Sequence, residues 1–150
     1  MKYKILPIAL SLFLFCCSES ALAAASEIYV VKFSGAISPG TADFLKSGIQ
    51  KASDDNVACI IIELDTPGGL VESMRNIVKA IFASQVPVVI YVAPGEARAA
   101  SAGVMITMAA DIAAMAPGTN IGAAHPVGAG IDFLKSFIDF MNKDGKGRNK

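Results

Sequence analysis

The sequence predicts an α/β domain on a mainly parallel sheet, and three observations carry that expectation. A strand, a glycine turn and a helix follow one another twice in succession. The run Val57-Ala58-Cys59-Ile60-Ile61-Ile62 has no polar alternation before Glu63, as in a strand covered on both faces. Both glycine turns stand at the C-terminal ends of strands, where open α/β sheets place their sites. Right-handed crossovers should join the strands.

Taken in order, residues 28–33 are β-branched-rich and read as the first strand. Ser38-Pro39-Gly40-Thr41 is a turn that starts a helix, in which Phe44, Leu45, Ile49 and Ala52 recur at helical spacing. Asp54-Asp55-Asn56 ends that helix, and residues 57–64 form the second strand. Asp65-Thr66-Pro67-Gly68-Gly69 leads to a helix with the stripe Leu70, Met74, Ile77, Val78 and Ile81. Residues 88–92 form a third strand, and a loop from Pro94 to Arg98 runs into a third helix around Ser101. Residues 112–116 are a short fourth strand, and Phe133, Leu134, Phe137, Ile138 and Met141 make a last helical stripe.

Residues 1–25 are expected to be a secretory signal peptide. Lys2 and Lys4 precede an apolar run over residues 5–17, and Ala21-Leu22-Ala23 and Ala23-Ala24-Ala25 both fit an A-x-A cleavage pattern. The run is short for a membrane span. Lipidation at Cys16 or Cys17 is the alternative, disfavoured by bulky Phe15. Residues 26–150 are then one domain, and Cys59 is its only thiol, so no internal disulfide can form. Its reading is a small core residue.

The 13 basic and 13 acidic residues cancel, which leaves no overall field for nucleic acid. The charged stretch 143–150 reads as a solvated tail.

Two loops carry candidate chemistry. Ser101 is flanked by Ala99, Ala100, Ala102 and Gly103, which let another backbone approach its hydroxyl. A helix beginning there offers free N–H groups and a positive dipole end to a developing oxyanion. The competing reading is a Ser N-cap in a tightly packed helix. Gly68 and Gly69 permit a backbone conformation closed to other residues, with N–H groups available to a peptide carbonyl. A plain strand-to-helix turn is the competing reading there.

Three motifs in order resemble the N-terminal domain of NfeD proteins, membrane-bound serine peptidases of the ClpP/crotonase superfamily. They are Ile62-Glu63-Leu64-Asp65-Thr66-Pro67-Gly68-Gly69, Ala100-Ser101-Ala102-Gly103, and Met115-Ala116-Pro117-Gly118-Thr119-Asn120-Ile121-Gly122-Ala123. The resemblance implies a ClpP/crotonase-like spiral of strand–turn–helix units. It also implies Ser101 as nucleophile, with Gly68, Gly69 and the Ala102 N–H as the oxyanion hole. The family's base is a lysine on a downstream helix. Lys135 is the first candidate and Lys143 the second, while His125 is a rival placed 24 positions after Ser101. A lysine serves as base only when burial or a neighbouring cation lowers its pKa, and Lys135 falls off the apolar stripe of its helix.

The implied activity is endopeptidase acyl transfer on the exported, periplasmic side of a membrane, with no metal and no cofactor. The implied substrate is a hydrophobic segment of a stomatin-like membrane protein, and a homodimer or higher oligomer is expected. Family members continue beyond the Gly147-Arg148-Asn149 element, so the chain is expected to be a truncated form. Two alternatives stand beside the peptidase: a scaffold of the same fold without a complete dyad, and a crotonase-like acyl-CoA binder using the same loops.

Overall fold

The computed structural model describes residues 27–124, together with helical positions 135, 138, 139 and 142. The expected signal peptide, His125 and Lys143 lie outside the described residues. In chain order the elements are β1 (Ile28–Ser34), α1 (Pro39–Asp54), β2 (Cys59–Asp65), α2 (Val71–Ala83) and β3 (Val88–Val92). Then come β4 (Arg98–Ala100), α3 (Ala102–Ala109), β5 (Ile112–Met115) and β6 (Asn120–Gly122).

Four strands form a wholly parallel sheet in the order β1-β2-β3-β5. Its inner strands are β2 and β3. A separate parallel pair, β4-β6, stands beside the Ser101 turn, with Ala100 opposite Gly122. The sequence reading missed both short strands. With three residues each, they are too brief to establish a periodicity.

Local chemistry explains the helices. Ser38 and Thr41 form a reciprocal capping box: Thr41 Oγ1 accepts the Ser38 N–H at 2.7 Å, and Ser38 Oγ accepts the Thr41 N–H at 3.4 Å. Pro39 takes the first helical position, where its missing N–H costs nothing. Ala42, Leu45, Ile49 and Ala52 of α1 are buried, whereas Phe44 points outward and is 53% exposed. In α2 the buried stripe is Met74, Ile77, Val78 and Ile81. Leu70 does not join it, because it is the N-cap with extended backbone and its side chain lies outside the helical register.

These helices cover one sheet face, where Ile60, Ile62, Leu64, Val88, Ile90 and Val92 are fully buried. Among the described residues nothing covers the other face in the same way, unlike the two-sided burial expected of β2. There Cys59, Ile61 and Glu63 are half-buried, and Ile28, Val30 and Ile112 are exposed. The strand order advances in one direction without reversing, so successive right-handed crossovers put α1, α2 and α3 on the same side. Cys59 is thus a half-buried residue of the open face rather than a core thiol.

Candidate active site

The two glycine-bearing turns meet at the C-terminal end of the sheet. Asp65, the last residue of β2, accepts the Arg98 N–H at 3.1 Å and the Ser34 hydroxyl at 3.0 Å. Thr66 donates its N–H to the Arg98 carbonyl at 2.6 Å, and its carbonyl accepts the Ala100 N–H at 3.0 Å. The turn after β2 is therefore stitched to β4, the strand that delivers Ser101.

Ser101 stands between β4 and α3 with φ 51° and ψ −112°. A non-glycine residue held there stores about 1–3 kcal/mol of backbone strain, and such residues cluster at functional sites. A sharp strand-to-helix turn of this kind lifts a serine hydroxyl clear of its neighbours. Ser101 is exposed, and its side chain makes no capping bond to α3 although the residue is the N-cap. The N-cap reading thus holds for the position and fails for the hydroxyl, which is left for other use. The Ser101 N–H donates to the Gly122 carbonyl at 3.2 Å, so β6 anchors the turn from behind.

Gly68 is buried directly against the serine. A Cβ built on it would lie 2.7 Å from Ser101 Cβ, 3.0 Å from the Ala100 carbonyl oxygen and 3.2 Å from Ser101 Oγ. Its φ of 104° is also one that side chains avoid. The Gly68 N–H donates to Thr66 Oγ1 at 3.1 Å, and the Gly68 carbonyl accepts the Ile37 N–H at 2.8 Å. Gly69 is exposed, and a Cβ there would overlap the Ile37 backbone. Among the described residues the Gly69 N–H and the Ala102 N–H have no partner, the latter because the first N–H groups of a helix cannot bond within it. Gly103 completes the approach, since a Cβ on it would lie 2.6 Å from Thr66 Cγ2.

Ser101, Gly68, Gly69 and Ala102 are thus brought together. Lys135 is helical and exposed, and His125 and Lys143 lie outside the described residues. The sequence reading passed over Thr66, although a threonine two residues before a glycine is a recognisable hydroxyl-capped turn. It also had no means of detecting the positive φ of Ser101.

A groove of about 510 Å³ opens elsewhere, between α1 and α2, lined by Lys46, Gln50, Lys79 and Ser84 among others. None of the residues around Ser101 lines it, and it holds no strained backbone or nucleophile with a partner base. Among the described residues no three His, Cys, Asp or Glu side chains cluster to hold a metal. No described helix is long and apolar enough to cross a membrane.

Parallel strand–turn–helix units with a strained serine at one turn give the chain a ClpP-like fold. Residues 27–132 match the model of the NfeD1b N-terminal domain, and the chain belongs to that family. It is 45% identical over 120 residues to a membrane-bound protease of Pyrococcus horikoshii and 39% identical over 105 residues to the membrane protein NfeD1b of Bacillus subtilis. Those alignments take in 80% and 70% of this chain but 27% and 23% of the relatives, so the chain spans about a quarter of their length.

Among solved structures, a serine-to-alanine variant of a membrane-bound stomatin-specific protease superposes with a TM-score of 0.73 at 40% identity. That match covers 84% of this chain and 67% of the other. A lysine-to-alanine variant of such a protease, in complex with a substrate peptide, gives a TM-score of 0.72 at 40% identity, covering 84% and 64%. A ClpP of Listeria monocytogenes shares the fold at 24% identity, with a TM-score of 0.58 over 76% and 66% of the two chains.

Proposed function

We propose that the chain carries the nucleophilic centre of a serine endopeptidase that works on a membrane-associated polypeptide. The observation that carries this reading is Ser101, held in strained backbone, exposed, and with a hydroxyl not spent on capping its helix. In the proposed reaction Ser101 Oγ attacks a peptide carbonyl carbon while a base removes the hydroxyl proton. The developing oxyanion is met by the N–H groups of Gly69 and Ala102. Gly68 takes part by its shape: its own N–H is held by Thr66, and its missing side chain leaves Ser101 its place. The proton then passes to the leaving amine, and water releases the acyl group from Ser101.

For the base we propose Lys135, ahead of Lys143 and His125. A lysine serves as base where burial or a neighbouring cation favours the neutral amine. Lys135 is exposed, so in this reading bound substrate or a second copy of the chain covers it before the reaction. The same exposure favours the second reading, a partner-binding scaffold of the same fold without a working dyad.

The named targets of the solved relatives support a stomatin-like substrate. The membrane-bound description of the curated protease supports membrane association. Export through residues 1–25 to the periplasmic side, and assembly as a dimer or larger oligomer, complete the proposal.

A fluorophosphonate probe tests it. Labelling that disappears in Ser101→Ala supports the peptidase. A folded protein that takes no label supports the scaffold, and acyl-CoA binding without labelling supports the third alternative.

A further inference from the structure

We propose that Thr66 is the positioning residue of this site, its hydroxyl latching the Gly68–Gly69 turn in the conformation that leaves the Gly69 N–H open. The catalytic part of the proposal rests on the peptidase reading above, and the structural part does not.

Thr66 is fully buried, with no exposed surface. It is joined to β4 on both sides of its backbone, by the Thr66 N–H to the Arg98 carbonyl and by the Ala100 N–H to the Thr66 carbonyl. Its hydroxyl oxygen accepts the Gly68 N–H, and its methyl faces Gly103 at the start of α3. One side chain therefore touches both turns, the hydroxyl on the oxyanion side and the methyl on the serine side. Pro67 has no N–H, so the first donor after Thr66 belongs to Gly68, and Thr66 Oγ1 takes it.

That bond selects which glycine donates to substrate. Gly68 and Gly69 have φ of 104° and 158°, values that leave a glycine pair many alternatives. Without the hydroxyl, the buried Gly68 N–H is left unpaired, and an unpaired buried donor is costly enough to make the turn rotate towards another acceptor. Rotation at Gly68 carries the next peptide with it, and the Gly69 N–H leaves its aim. A serine preserves the acceptor and gives up only the methyl, whereas a valine preserves the shape and gives up the acceptor.

Thr66→Val and Thr66→Ser in the full chain separate these roles. Amide hydrogen exchange at Gly68, read by NMR, reports the latch, and the rate of Ser101 labelling by a fluorophosphonate reports its consequence. The loss of one hydrogen bond predicts an increase of about tenfold in Gly68 exchange and a fall of about tenfold in labelling rate for Thr66→Val. Thr66→Ser restores both towards the parent values. Unchanged Gly68 exchange in Thr66→Val overturns the latch. So does a rise of about tenfold in Gly68 exchange in Thr66→Ser, which keeps the acceptor, and this also decides the matter if the valine variant does not fold. A parent that takes no label, while Thr66→Val still speeds Gly68 exchange, removes the peptidase reading and leaves the latch supported. Parent labelling with exchange raised but the labelling rate unaltered in Thr66→Val overturns the catalytic part alone.

Discussion

Gly68 and Ser101 are packed so that a single methyl group on the glycine would lie 2.7 Å from the serine Cβ. The two residues are 33 positions apart (101 − 68), on turns that follow different strands. Their contact is what turns a serine in a small-residue stretch into a candidate nucleophile beside a donor loop.

Gly68→Ala should therefore damage both stability and chemistry. The new methyl overlaps Ser101 and the residue must hold a φ of 104°. Strain and overlap each cost about 1–3 kcal/mol, part of which the turn relieves by moving. Denaturant midpoints should drop, and labelling of Ser101 should be lost even under conditions where the variant is fully folded. Parent-like labelling would show that the close approach has no part in the chemistry.

Gly103→Ala tests the other side of the same contact. Its methyl would meet Thr66 Cγ2 at 2.6 Å, on a residue with no room to withdraw. We expect a loss of about 1–3 kcal/mol in chemical denaturation. Gly40→Ala is the control: nothing lies within 4 Å of a Cβ there, and the change should stay within about 0.5 kcal/mol.

The identity of the base is decided by three single variants, Lys135→Ala, Lys143→Ala and His125→Ala, scored on peptide hydrolysis. Removal of a general base lowers turnover by about 100-fold or more. The proposal places that loss in Lys135→Ala, with the other two near the parent. An equally large loss in His125→Ala, with Lys135→Ala unaffected, would give the role to the histidine.

A pH-dependent contribution is expected far from the site, where α1 ends. Asp55 accepts the Lys51 ammonium at 2.6 Å and the Tyr29 hydroxyl at 2.5 Å. The Lys51 ammonium first, and the Tyr29 hydroxyl after it, hold the Asp55 carboxyl below its ordinary value of 3.8. A lowered folded pKa means stability that is present above the ordinary value and lost as pH falls through the folded one. Bonding to Asp55 likewise raises the Lys51 amine and the Tyr29 phenol. Their contribution is present below their ordinary values and lost as pH rises through the raised ones. Urea midpoints taken from about pH 5 down to about pH 2 should fall less steeply in Asp55→Asn than in the parent. Equal slopes would mean that the cluster contributes nothing in solution.

Much of the scaffold was legible in the residues. The apolar run of β2, the Pro39-bearing start of α1 and the stripe Met74, Ile77, Val78 and Ile81 each have a local cause, and each stands where it was expected. The readings that failed depend on neighbours. Leu70 fits the α2 spacing but caps the helix, and Cys59 fits a core strand but faces the open side of the sheet. Periodicity reports which residues share a face, and it is silent on what covers that face.

The candidate site divides in the same way. The sequence by itself determined the inventory: Ser101 among small residues, a glycine pair after a buried strand, and the order of motifs that marks the family. Only the tertiary structure decided how those parts are used. Backbone bonds from Thr66 to Arg98 and Ala100 set the end of β2 beside β4, which places Ser101, at a φ of 51°, against the buried Gly68 and brings the Thr66 methyl to Gly103. The physical reason is that Gly68 and Ser101 meet only through contacts between turns distant in sequence, and those contacts exist only once the strands have paired.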